Sequence, residues 1–570
     1  MATPLRVGFL VDSDQVNQYV YDLLKYVAQQ DEFAAPVIIS GYMPAPVKRS
    51  LLTKITSRFR GGAWKKFPAK TLFDLIHRFV RKVELRETLL FRPEYTASRD
   101  VSDVGDLQRI HVDGVWSASK LMLNFSEADI AALRAANLDA IVRCGSGIIK
   151  GAILDDVTTF GVLSFHHGDN RNNRGGPSGF WEVLQGEASS GFIIQRLNNE
   201  LDGGDVLFRG NMMTAGSWTQ NNANLQAKSN VFMMQLLASL AEKRELPPFE
   251  GMTLHDRALY KLDDNPWLLA RYSMRVTLPL LWKKVANKVK PQSSIHWSVA
   301  FSRFDHFKKS LWRYQEVPNP PGRFLADPFV VTRGERTILY VEDYFYSDAR
   351  GRISAIDISE GKQEFLGIVI DEPHHLSFPF PFEYEGQLYM LPEAFQSREM
   401  TLYRCDDFPL KWTPVTSLMS GVSAADTMLI PHGDYWYMFT NICSADIDDH
   451  QSELHIFYAD SPLSQQWAPI GTGNPVLFDP LRGRNAGFIT YQGELYRMNQ
   501  IHAMDHYGKG FGINKVLELS PQGYREERVD SVMPDFKPDI HSTHHFYSNG
   551  HFSVVDFCRT VPMTRVQRGG

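Results

Sequence analysis

The hydrophobic pattern of the chain changes near residue 295, and this change limits the possible folds more than any other feature. Before it, short apolar runs alternate with segments of helical periodicity: residues 5–11 predict a buried strand and residues 16–29 a helix. Residues 140–144 and 161–165 predict further buried strands, and Phe192 begins another. Alternation of strand, helix and strand predicts an α/β domain with a mainly parallel, Rossmann-like sheet.

The second half has the pattern of an all-β domain. Short segments rich in aromatic and β-branched residues recur between Gly, Pro, Asp and Asn turns, and two of them, residues 382–389 and 489–496, contain an internal glycine turn. Units of roughly 45–55 residues, the size of a propeller blade, fit about five times into this space. The sequence predicts a multidomain chain: an α/β domain over 1–245, a linker or helical connection over 246–294 and a five-bladed β-propeller over 295–570.

Composition excludes several classes of protein. The chain has 570 residues, a net charge of −5 and four cysteines. Sparse cysteines without metal spacing suit a reducing compartment, and no apolar run approaches the ~20 residues of a membrane span. The amino terminus lacks the pattern of a signal peptide, and the mildly acidic balance argues against nucleic acid. We expect a cytoplasmic protein without a nucleic-acid partner.

Two basic segments stand out within this balance. Residues 46–90 hold twelve Lys or Arg with apolar residues interleaved, and residues 272–292 repeat the combination. They are either solvated helical surfaces or surfaces that contact anionic lipid or a partner. The second alternative predicts peripheral contact with the inner membrane surface.

Polar residues follow the strand predicted at 161–165. His166, His167, Asp169 and Asn170 come directly after it, and the loop continues to residues 174–177, Arg-Gly-Gly-Pro. Residues 199–205 form a second polar segment with a glycine turn. Polar groups at the carboxyl end of a parallel strand lie where open α/β sheets bind ligands, so these segments predict a site.

The order of these motifs resembles that of the folate-dependent formyltransferases. Members carry a strand, Asn-x-His, a loop with Arg-Gly and then Leu-Asp-x-Gly, and residues 162–166, 174–177 and 201–204 match this order. The resemblance implies a formyltransferase fold and N10-formyltetrahydrofolate as formyl donor. It also implies that His166 is the catalytic histidine and that Asp202 orients it. No metal is expected.

Further positions are candidates for contacts with the donor or the acceptor, or else they only shape their loops. Candidate cofactor-binding residues are Cys144, Gly145, Gly147 and Gly203. Candidate substrate-binding residues are His167, Asp169, Asn170 and Arg174.

The sequence departs from the family at one catalytic position. Ser164 stands where the family has the asparagine that stabilises the oxyanion. Either Ser164 donates a hydrogen bond instead, or Asn170, Asn172 or Asn173 replaces the amide, or the chemistry has changed. Loss of one such donor costs about 2.7–4 kcal/mol of barrier in other enzymes, so the departure bears on activity more than on fold.

Charged residues recur at strand ends in the second half, where Ala-Asp occurs at 326–327 and again at 425–426. The region resembles the N-terminal domain of plant glucosamine inositolphosphorylceramide transferases and, more distantly, five-bladed propeller glycosidases. That analogy implies central carboxylates at Asp327, Glu393 and Asp426, whereas the inward Asp and Arg residues could also be purely structural. Three histidines, His541, His544 and His545, lack the carboxylate spacing of a metal site. The predicted pocket residues are Asp327, Glu342, His375, Glu393, Asp426, Arg484, Arg497 and Gln500.

Three functions remain after these observations. The first is transfer of a formyl group from N10-formyltetrahydrofolate to the amino group of a nucleotide- or lipid-linked sugar. The second is a propeller that acts as glycosyltransferase or glycosidase beside a substrate-modifying or degenerate formyltransferase domain. The third is a propeller that only binds a glycan.

Overall fold

The computed structural model describes residues 3–43, 67–172, 174–200, 203–250, 259–289, 293–303, 310–445, 447, 449–471, 473–503 and 506–562. The chain divides into two compact units, Met1–Lys283 and Lys284–Gly570. The division lies inside the segment 246–294 that the sequence predicts as a connection. The exact predicted boundaries, 1–245 and 295–570, remain predictions.

A seven-stranded sheet organises the first unit. Its strands are β1 Val7–Leu10, β2 Val37–Ser40, β3 Gln108–His111, β4 Ala140–Arg143, β5 Val162–His166, β6 Ser189–Arg196 and β7 Asp205–Met213. Their order across the sheet is β7-β6-β5-β4-β1-β2-β3. The neighbouring strands β5, β4, β1, β2 and β3 pair in parallel. At one edge of the sheet, β6 and β7 add antiparallel strands. The predicted mainly parallel sheet is therefore present.

Within the described residues, seven helices accompany this sheet, and the last of them extends across the unit boundary at Lys283. They are α1 Gln18–Gln29, α2 Phe67–Phe91, α3 Glu127–Ala135, α4 Phe180–Gln185, α5 Trp218–Lys243, α6 Pro266–Tyr272 and α7 Leu278–Val289. A π-helical turn, Ser273–Thr277, joins α6 to α7. None of the helices in the described ranges is long and apolar enough to cross a bilayer.

Local sequence explains how these elements start and pack. Ser126 caps α3: its hydroxyl accepts from the Asp129 backbone N–H, and the Asp129 carboxylate bonds back to the Ser126 backbone. The central strands are buried along their length, as continuous apolar runs predict. Gly8 in β1 leaves room for neighbours, because a Cβ there would lie 2.7 Å from Leu138 Cδ1.

Shorter elements complete the first unit. In the part of this unit that the structure describes, there are also three small sheets and three 3-10 turns. The strands are Gln15–Asn17 with Ser98–Asp100, Val115–Trp116 with Met122–Asn124 and Ile148–Ile149, and Arg174–Gly176 with Leu259–Lys261. The 3-10 turns are Pro93–Thr96, Val101–Val104 and Ala152–Leu154.

Five antiparallel sheets of four main strands build the second unit. Four are formed by consecutive strands. Sheet I holds Arg323–Arg333, Arg336–Phe345, Arg350–Asp357 and Glu364–Ile370. Sheet II holds Ser377–Tyr384, Gln387–Glu393, Glu399–Asp407 and Lys411–Ser420. Sheet III holds Ala424–His432, Tyr435–Ile442, Glu453–Ala459 and Ala468–Pro469, with Leu477–Phe478 beside its third strand. Sheet IV holds Asn485–Tyr491, Glu494–Ala503, His506–Ser520 and Gly523–Val532.

Sheet V joins the two ends of the second unit. Its order is Gln315–Glu316, Ser293–Ser302, Ser553–Pro562 and Ile540–Ser542, and Phe546–Ser548 also pairs with Ser553–Pro562. The first strands of sheets I to IV contact one another in sequence, the first strand of sheet IV contacts Phe546–Ser548, and that segment contacts the first strand of sheet I. This series of contacts thus begins and ends at the first strand of sheet I. Leu311–Arg313 and Ser359–Gly361 are 3-10 turns.

The same irregularity occurs in the first strands of sheets I, II and III. A β-bulge interrupts the pairing between Ala326 and Phe329, between Ser377 and Phe380, and between Ala425 and Met428. The bulged residue has a positive φ each time: 47° at Asp327, 44° at Phe378 and 46° at Asp426. A β-bulge changes the direction of the side chain at the bulged residue. In each of these three sheets, one side chain therefore departs from the regular alternation of the strand.

Candidate functional site

A cavity of about 210 Å³ opens at the carboxyl ends of β4 and β5. It is lined by Arg143, Gly147, Ile148, Ile149, Lys150, Ser164, Phe165, His166, Gln195, Leu197, Asn198, Glu200 and Gly204. Three predicted site residues, Gly147, Ser164 and His166, therefore share one cavity. The predicted Gly203 directly precedes the lining Gly204, and the predicted Asp202 lies outside the described residues.

The glycine loop beside this cavity is held by Asp12. The Asp12 carboxylate accepts from Ser146 N at 2.8 Å, from Ser146 Oγ at 2.6 Å and from the Tyr42 hydroxyl at 2.8 Å. A Cβ on Gly145 would collide with that hydroxyl, and Gly147 has a φ of +87°. Both glycines are thus required by the loop itself, whatever they bind.

Cys144 contributes no reactive group to the loop. Burial raises the pKa of its thiol to about 12, and its backbone N–H donates to Leu10 O at 2.9 Å. The thiol stays protonated at neutral pH, and the amide is already used. A donor contact from Cys144 remains a prediction, and this placement gives it no support.

Ser164 lies between Arg143 and the backbone of its own strand. Arg143 on β4 is its cross-strand neighbour, and Arg143 Nη1 donates to Ser164 Oγ at 3.4 Å. The Ser164 hydroxyl donates to Phe165 O at 3.1 Å. Arg143 Nη2 also donates to Gly147 O at 2.5 Å, which ties β4 to the glycine loop.

His167 faces away from this cavity. Its ring lies against Tyr19 and Phe165, and its Nε2 lies 3.0 Å from Ser229 Oγ. Burial, with a smaller contribution from His166, lowers the pKa of His167 to about 3. The surroundings are those of a packed core histidine, so the predicted acceptor contact has no support here.

The remaining predicted acceptor residues lie in or near a second polar cavity. Asp169, with Glu182, Glu187 and others, lines a space of about 310 Å³. Burial alone would raise the pKa of Asp169, but hydrogen bonds from Arg171 and the charge of Arg209 lower it. Asn170 Oδ1 accepts from Arg209 at 3.0 Å. Arg174 starts a short strand, and its side chain is outside the described part of the chain, as is Asn173.

The second unit has its own candidate site, a cavity of about 270 Å³. Five of the predicted pocket residues line it, and aromatic rings form much of the remaining wall. The lining residues are Trp297, Phe324, Ala326, Asp327, Glu342, Tyr344, His375, Ser377, Glu393, Phe395, His450, Gln451, Arg484, Tyr507 and His544. Aromatic faces combined with carboxylates suit a polar ligand with apolar faces, as sugars have.

The β-bulges place the two aspartates. Asp327 and Asp426 occupy equivalent bulge positions in sheets I and III, and each backbone N–H points to another carboxylate. Asp426 N donates to Glu393 Oε2 at 3.1 Å, and Asp327 N donates to Asp556 Oδ2 at 3.4 Å. A non-glycine residue with positive φ costs about 1–3 kcal/mol and persists where its surroundings hold it, which is a common property of functional sites.

Two cations neutralise part of this carboxylate cluster. Arg484 Nε lies 2.5 Å from Asp426 Oδ2, and Arg484 Nη2 lies 3.5 Å from Glu393 Oε2. His544 Nδ1 lies 2.6 Å from Asp556 Oδ2. Burial alone would lower the pKa of His544, but the Asp556 carboxylate raises it and so favours the protonated ring.

Three carboxyls of this cluster have a raised pKa and are therefore protonated more easily than usual. Burial raises the pKa of Asp327 to about 7, against the opposing charge of His544. Burial and the nearby Asp327 raise the pKa of Glu342 well above its ordinary value. Asp426 also has its pKa raised to about 7 by burial, although Arg484 opposes the rise. Asp556 differs from these three: burial alone would raise its pKa, but His544 lowers it. Carboxyls whose pKa values are shifted in opposite directions are typical of acid–base sites.

Three predicted pocket residues have other positions or states. Gln500 lies behind the wall and donates to Asp426 Oδ2 at 2.8 Å. His375 Nδ1 accepts from Gly351 N at 2.9 Å, and burial lowers its pKa to about 4, so it is neutral. Arg497 does not line the cavity: it is buried and bonds Glu526 Oε2 at 2.8 Å and Asn485 Oδ1 at 3.1 Å. The predicted ligand contact of Arg497 is corrected to a structural ion pair.

Sequence reasoning missed His544 as a pocket residue and Asp556 as its partner. His544 was considered only within a group of histidines for a metal site, and Asp556 belongs to none of the motifs identified in the sequence. In the structure, ligand atoms of Asp327, His544 and Asp556 lie within 4.8 Å of one another. The expected absence of a metal remains a prediction.

Comparison with known proteins gives two kinds of similarity. Residues 309–547 match the family model described as glucosamine inositolphosphorylceramide transferase 1, N-terminal. Glucosamine inositolphosphorylceramide transferase 1 of Oryza sativa subsp. japonica is 34% identical over 222 residues, 38% of this chain and 29% of the relative. The chain therefore spans less than a third of the length of that relative.

The other similarity is to formyltransferases. The methionyl-tRNA formyltransferase of Halalkalibacterium halodurans is 25% identical over 251 residues, 42% of this chain and 76% of the relative. A solved sugar 3N-formyl transferase aligns with 62% of this chain and 98% of its own at 9% identity, with a TM-score of 0.26, which carries no argument about fold. The proteins to which this chain is similar in sequence are transferases of two kinds, one of them named for an amino sugar.

Proposed function

We propose that this chain transfers a formyl group from N10-formyltetrahydrofolate to the amino group of a sugar. One observation carries the proposal: Ser164, His166 and the Gly147 loop line a single cavity at the carboxyl ends of parallel strands. The similarity to formyltransferases supports the type of reaction.

The cavity suits the reacting end of the formyl donor. Whole-ligand pockets measure roughly 300–1,000 Å³, whereas this cavity measures about 210 Å³. Gly147 and Gly204 present backbone without side chains to it. When bound, the folate supplies the activated formyl group. The chain's own task is to place the acceptor amine, move its proton and stabilise charge on the carbonyl oxygen.

His166 is the proton carrier in this scheme. The amine nitrogen bonds to the formyl carbon, and the imidazole of His166 takes the proton that the amine then loses. The same imidazole returns a proton to the leaving nitrogen when the old carbon–nitrogen bond breaks. The products are an N-formyl sugar and tetrahydrofolate, so no oxidant or further reactant is needed. The proposed role of Asp202 is to orient this ring.

Release of tetrahydrofolate tests this role of His166. Purified full chain with the formyl donor and a panel of nucleotide- and lipid-linked amino sugars should release tetrahydrofolate. His166→Ala should reduce the rate at least about a hundredfold, the usual contribution of a positioned acid–base group. The matched control is His111→Ala, since His111 is an exposed histidine of the same unit. Undiminished turnover by His166→Ala would remove that residue from the mechanism.

We propose a five-bladed β-propeller for the second unit. Five four-stranded antiparallel sheets support this, together with the contacts between their first strands, which return to sheet I. Sheet V, built from both ends of the unit, would close such a ring. The innermost strands of a propeller converge on its axis, and the bulge residues Asp327 and Asp426 lie on first strands of their sheets.

We further propose that the pocket of the second unit binds sugar and that glycosyl hydrolysis or transfer there is the second candidate function. Asp327, with a pKa raised to about 7 by burial, is suited to donate a proton at neutral pH. Such activity should fall as the pH rises above about 7, because Asp327 then loses its proton, and Asp327→Asn should abolish it. An unchanged product yield with Asp327→Asn would exclude Asp327 as the proton donor, and glycan binding without any product would leave binding as the pocket's only role.

We also propose a cytoplasmic protein that contacts the inner membrane surface peripherally. Four free cysteines are consistent with a reducing compartment. The helical segment 266–289 exposes two tryptophans and contains no acidic residue, as interfacial helices do.

A further inference from the structure

Ser164 is poorly arranged to replace the family's asparagine. Its hydroxyl has one proton, and the geometry directs that proton to the Phe165 carbonyl oxygen at 3.1 Å. Its other contact is with Arg143, from which Ser164 Oγ accepts. Ser164 is also buried. In this arrangement the serine offers the cavity no hydrogen of its own.

Arg143 supplies donors at the same place. It is the register partner of Ser164 on β4, and it lines the same cavity as Ser164 and His166. Its two terminal nitrogens bond Ser164 Oγ and Gly147 O, which fix the plane of the guanidinium. Its Nε is buried without a hydrogen-bond partner among the described residues. An unpaired buried donor is costly, so such a group signals a function or an absent ligand.

We propose that Arg143 provides the electrophilic stabilisation that the family obtains from an amide at position 164. The inference rests on the proposed formyl transfer. As the amine bonds to the formyl carbon, the carbonyl π electrons move to oxygen, and the guanidinium donates hydrogen bonds to that negative charge. The charge returns to the carbonyl when the bond to the donor's nitrogen breaks. Arg143 keeps all its protons throughout.

The physical properties of a guanidinium suit this task. Burial lowers the pKa of Arg143, but arginine remains protonated in proteins at every relevant pH. A charged donor makes a hydrogen bond roughly twice as strong as a neutral one. The contacts with β5 and the glycine loop hold it in place before the reaction, and prior placement is what makes such donors effective.

Two other side chains of the cavity are competitors for the role. Lys150 carries a positive charge, and Gln195 on β6 is the register partner of Ser164 on the opposite side and carries an amide. Lys150 would act as a compact charge on a flexible stem, and its three N–H donors rotate instead of being held in a fixed plane. Gln195 would reproduce the family's own chemistry from another strand. The experiment must therefore distinguish which of Arg143, Lys150 and Gln195 stabilises the carbonyl oxygen.

The test compares full-length variants in the tetrahydrofolate-release assay, beginning with the wild type. Arg143→Met should lower kcat by about 10²–10³-fold, the loss seen for single oxyanion donors, with little change in KM for the donor. Arg143→Lys should recover only a small part of the kcat that is lost in Arg143→Met. Arg134→Met, at an exposed arginine that pairs with Asp156, is the matched control and should keep the wild-type rate.

Two additional readouts distinguish chemistry from damaged folding. Millimolar guanidinium chloride should restore part of the activity of Arg143→Ala, whereas sodium chloride at the same ionic strength should not. Arg143→Met with Ser164→Asn should recover activity relative to Arg143→Met alone, because the amide returns to its family position. Neither result is expected if Arg143 only stabilises the fold.

The outcomes separate this inference from the proposed function. If the wild type releases no tetrahydrofolate with any acceptor, formyl transfer itself is refuted. If it does and Arg143→Met retains kcat, or if Gln195→Leu or Lys150→Met causes the large loss instead, Arg143 does not hold this role. If neither guanidinium nor Ser164→Asn restores an inactive Arg143 variant, the role is purely structural and the inference fails.

Discussion

At the scale of residues, the fold gives two adjacent histidines opposite environments. His166 lines the cavity of the first unit, whereas His167 packs against Tyr19 and Phe165. Successive side chains of a strand point to opposite faces, and β5 continues this alternation to its last residue. The sequence motif identified His166, but it gave no means of judging how deeply His167 is buried.

The burial of His167 predicts a specific dependence of stability on pH. Its pKa is about 3 in the folded chain and about 6.5 in an unfolded one. As the pH falls, the unfolded state therefore binds the proton before the folded state does. The stabilisation contributed by neutral His167 is complete above about pH 6.5 and is lost as the pH falls towards 3. His167→Gln should be less stable at pH 7.5, by about 1 kcal/mol for its contact with Ser229, but should lose less stability on acidification.

Denaturant unfolding of wild type and His167→Gln between pH 7.5 and 4 measures this difference. His111→Gln is the control, because His111 is exposed. The same acid-dependent loss in wild type and His167→Gln would show that His167 is not the buried neutral group described here.

At the scale of elements, the β-bulge repeated in sheets I to III explains why distant residues meet. The sequence shows Ala-Asp twice, at 326–327 and 425–426. Asp327 lines the cavity, whereas Asp426 is buried behind it and bonds the lining Arg484. The bulge itself has no comparable signal, since Phe378 occupies the equivalent position in sheet II. Asp556 lies on the strand Ser553–Pro562 of sheet V, and His544 lies between two other strands of that sheet, Ile540–Ser542 and Phe546–Ser548. The strands of sheet V come from both ends of the unit. Such non-local pairing cannot be inferred from local patterns.

The segment 266–289 is the part of the chain for which we predict contact with a membrane surface. Trp267, Met274, Leu278 and Trp282 are exposed, with the two tryptophans at 76% and 72%, and they recur at helical spacing. Its charged residues are all basic. Burial of tryptophans at an interface and attraction to anionic lipid should act together. Trp267→Ser with Trp282→Ser should weaken binding to phosphatidylglycerol-containing vesicles about tenfold or more, because each burial contributes over 1 kcal/mol.

Vesicle co-sedimentation measures this binding, and vesicles of phosphatidylcholine alone should retain less protein. Trp312→Ser is the matched control, since Trp312 is 60% exposed but lies outside the segment. Equal binding by the double variant and the wild type would exclude this segment as the contact. A change in oligomeric state without any lipid binding would assign the surface to a second copy of the chain.

At the scale of the whole molecule, each unit has its own buried core and its own polar cavity. The strand–helix alternation was sufficient to predict the parallel sheet, because both faces of its strands are buried and read as apolar runs. The antiparallel edge formed by β6 and β7 was not predicted, since apolar runs do not encode strand direction. The functions proposed above assign sugar binding to one unit and modification of an amino sugar to the other.

Mass spectrometry of the acceptor tests the central claim most directly. The full chain is incubated with N10-formyltetrahydrofolate and nucleotide- or lipid-linked amino sugars, alongside the same sugars with the amine blocked by acetylation. The account predicts that a free-amine sugar gains the mass of one formyl group, that the acetylated sugar does not, and that His166→Ala forms no product. No mass gain on any amino sugar, with a glycosidic product that depends on Asp327, would contradict it.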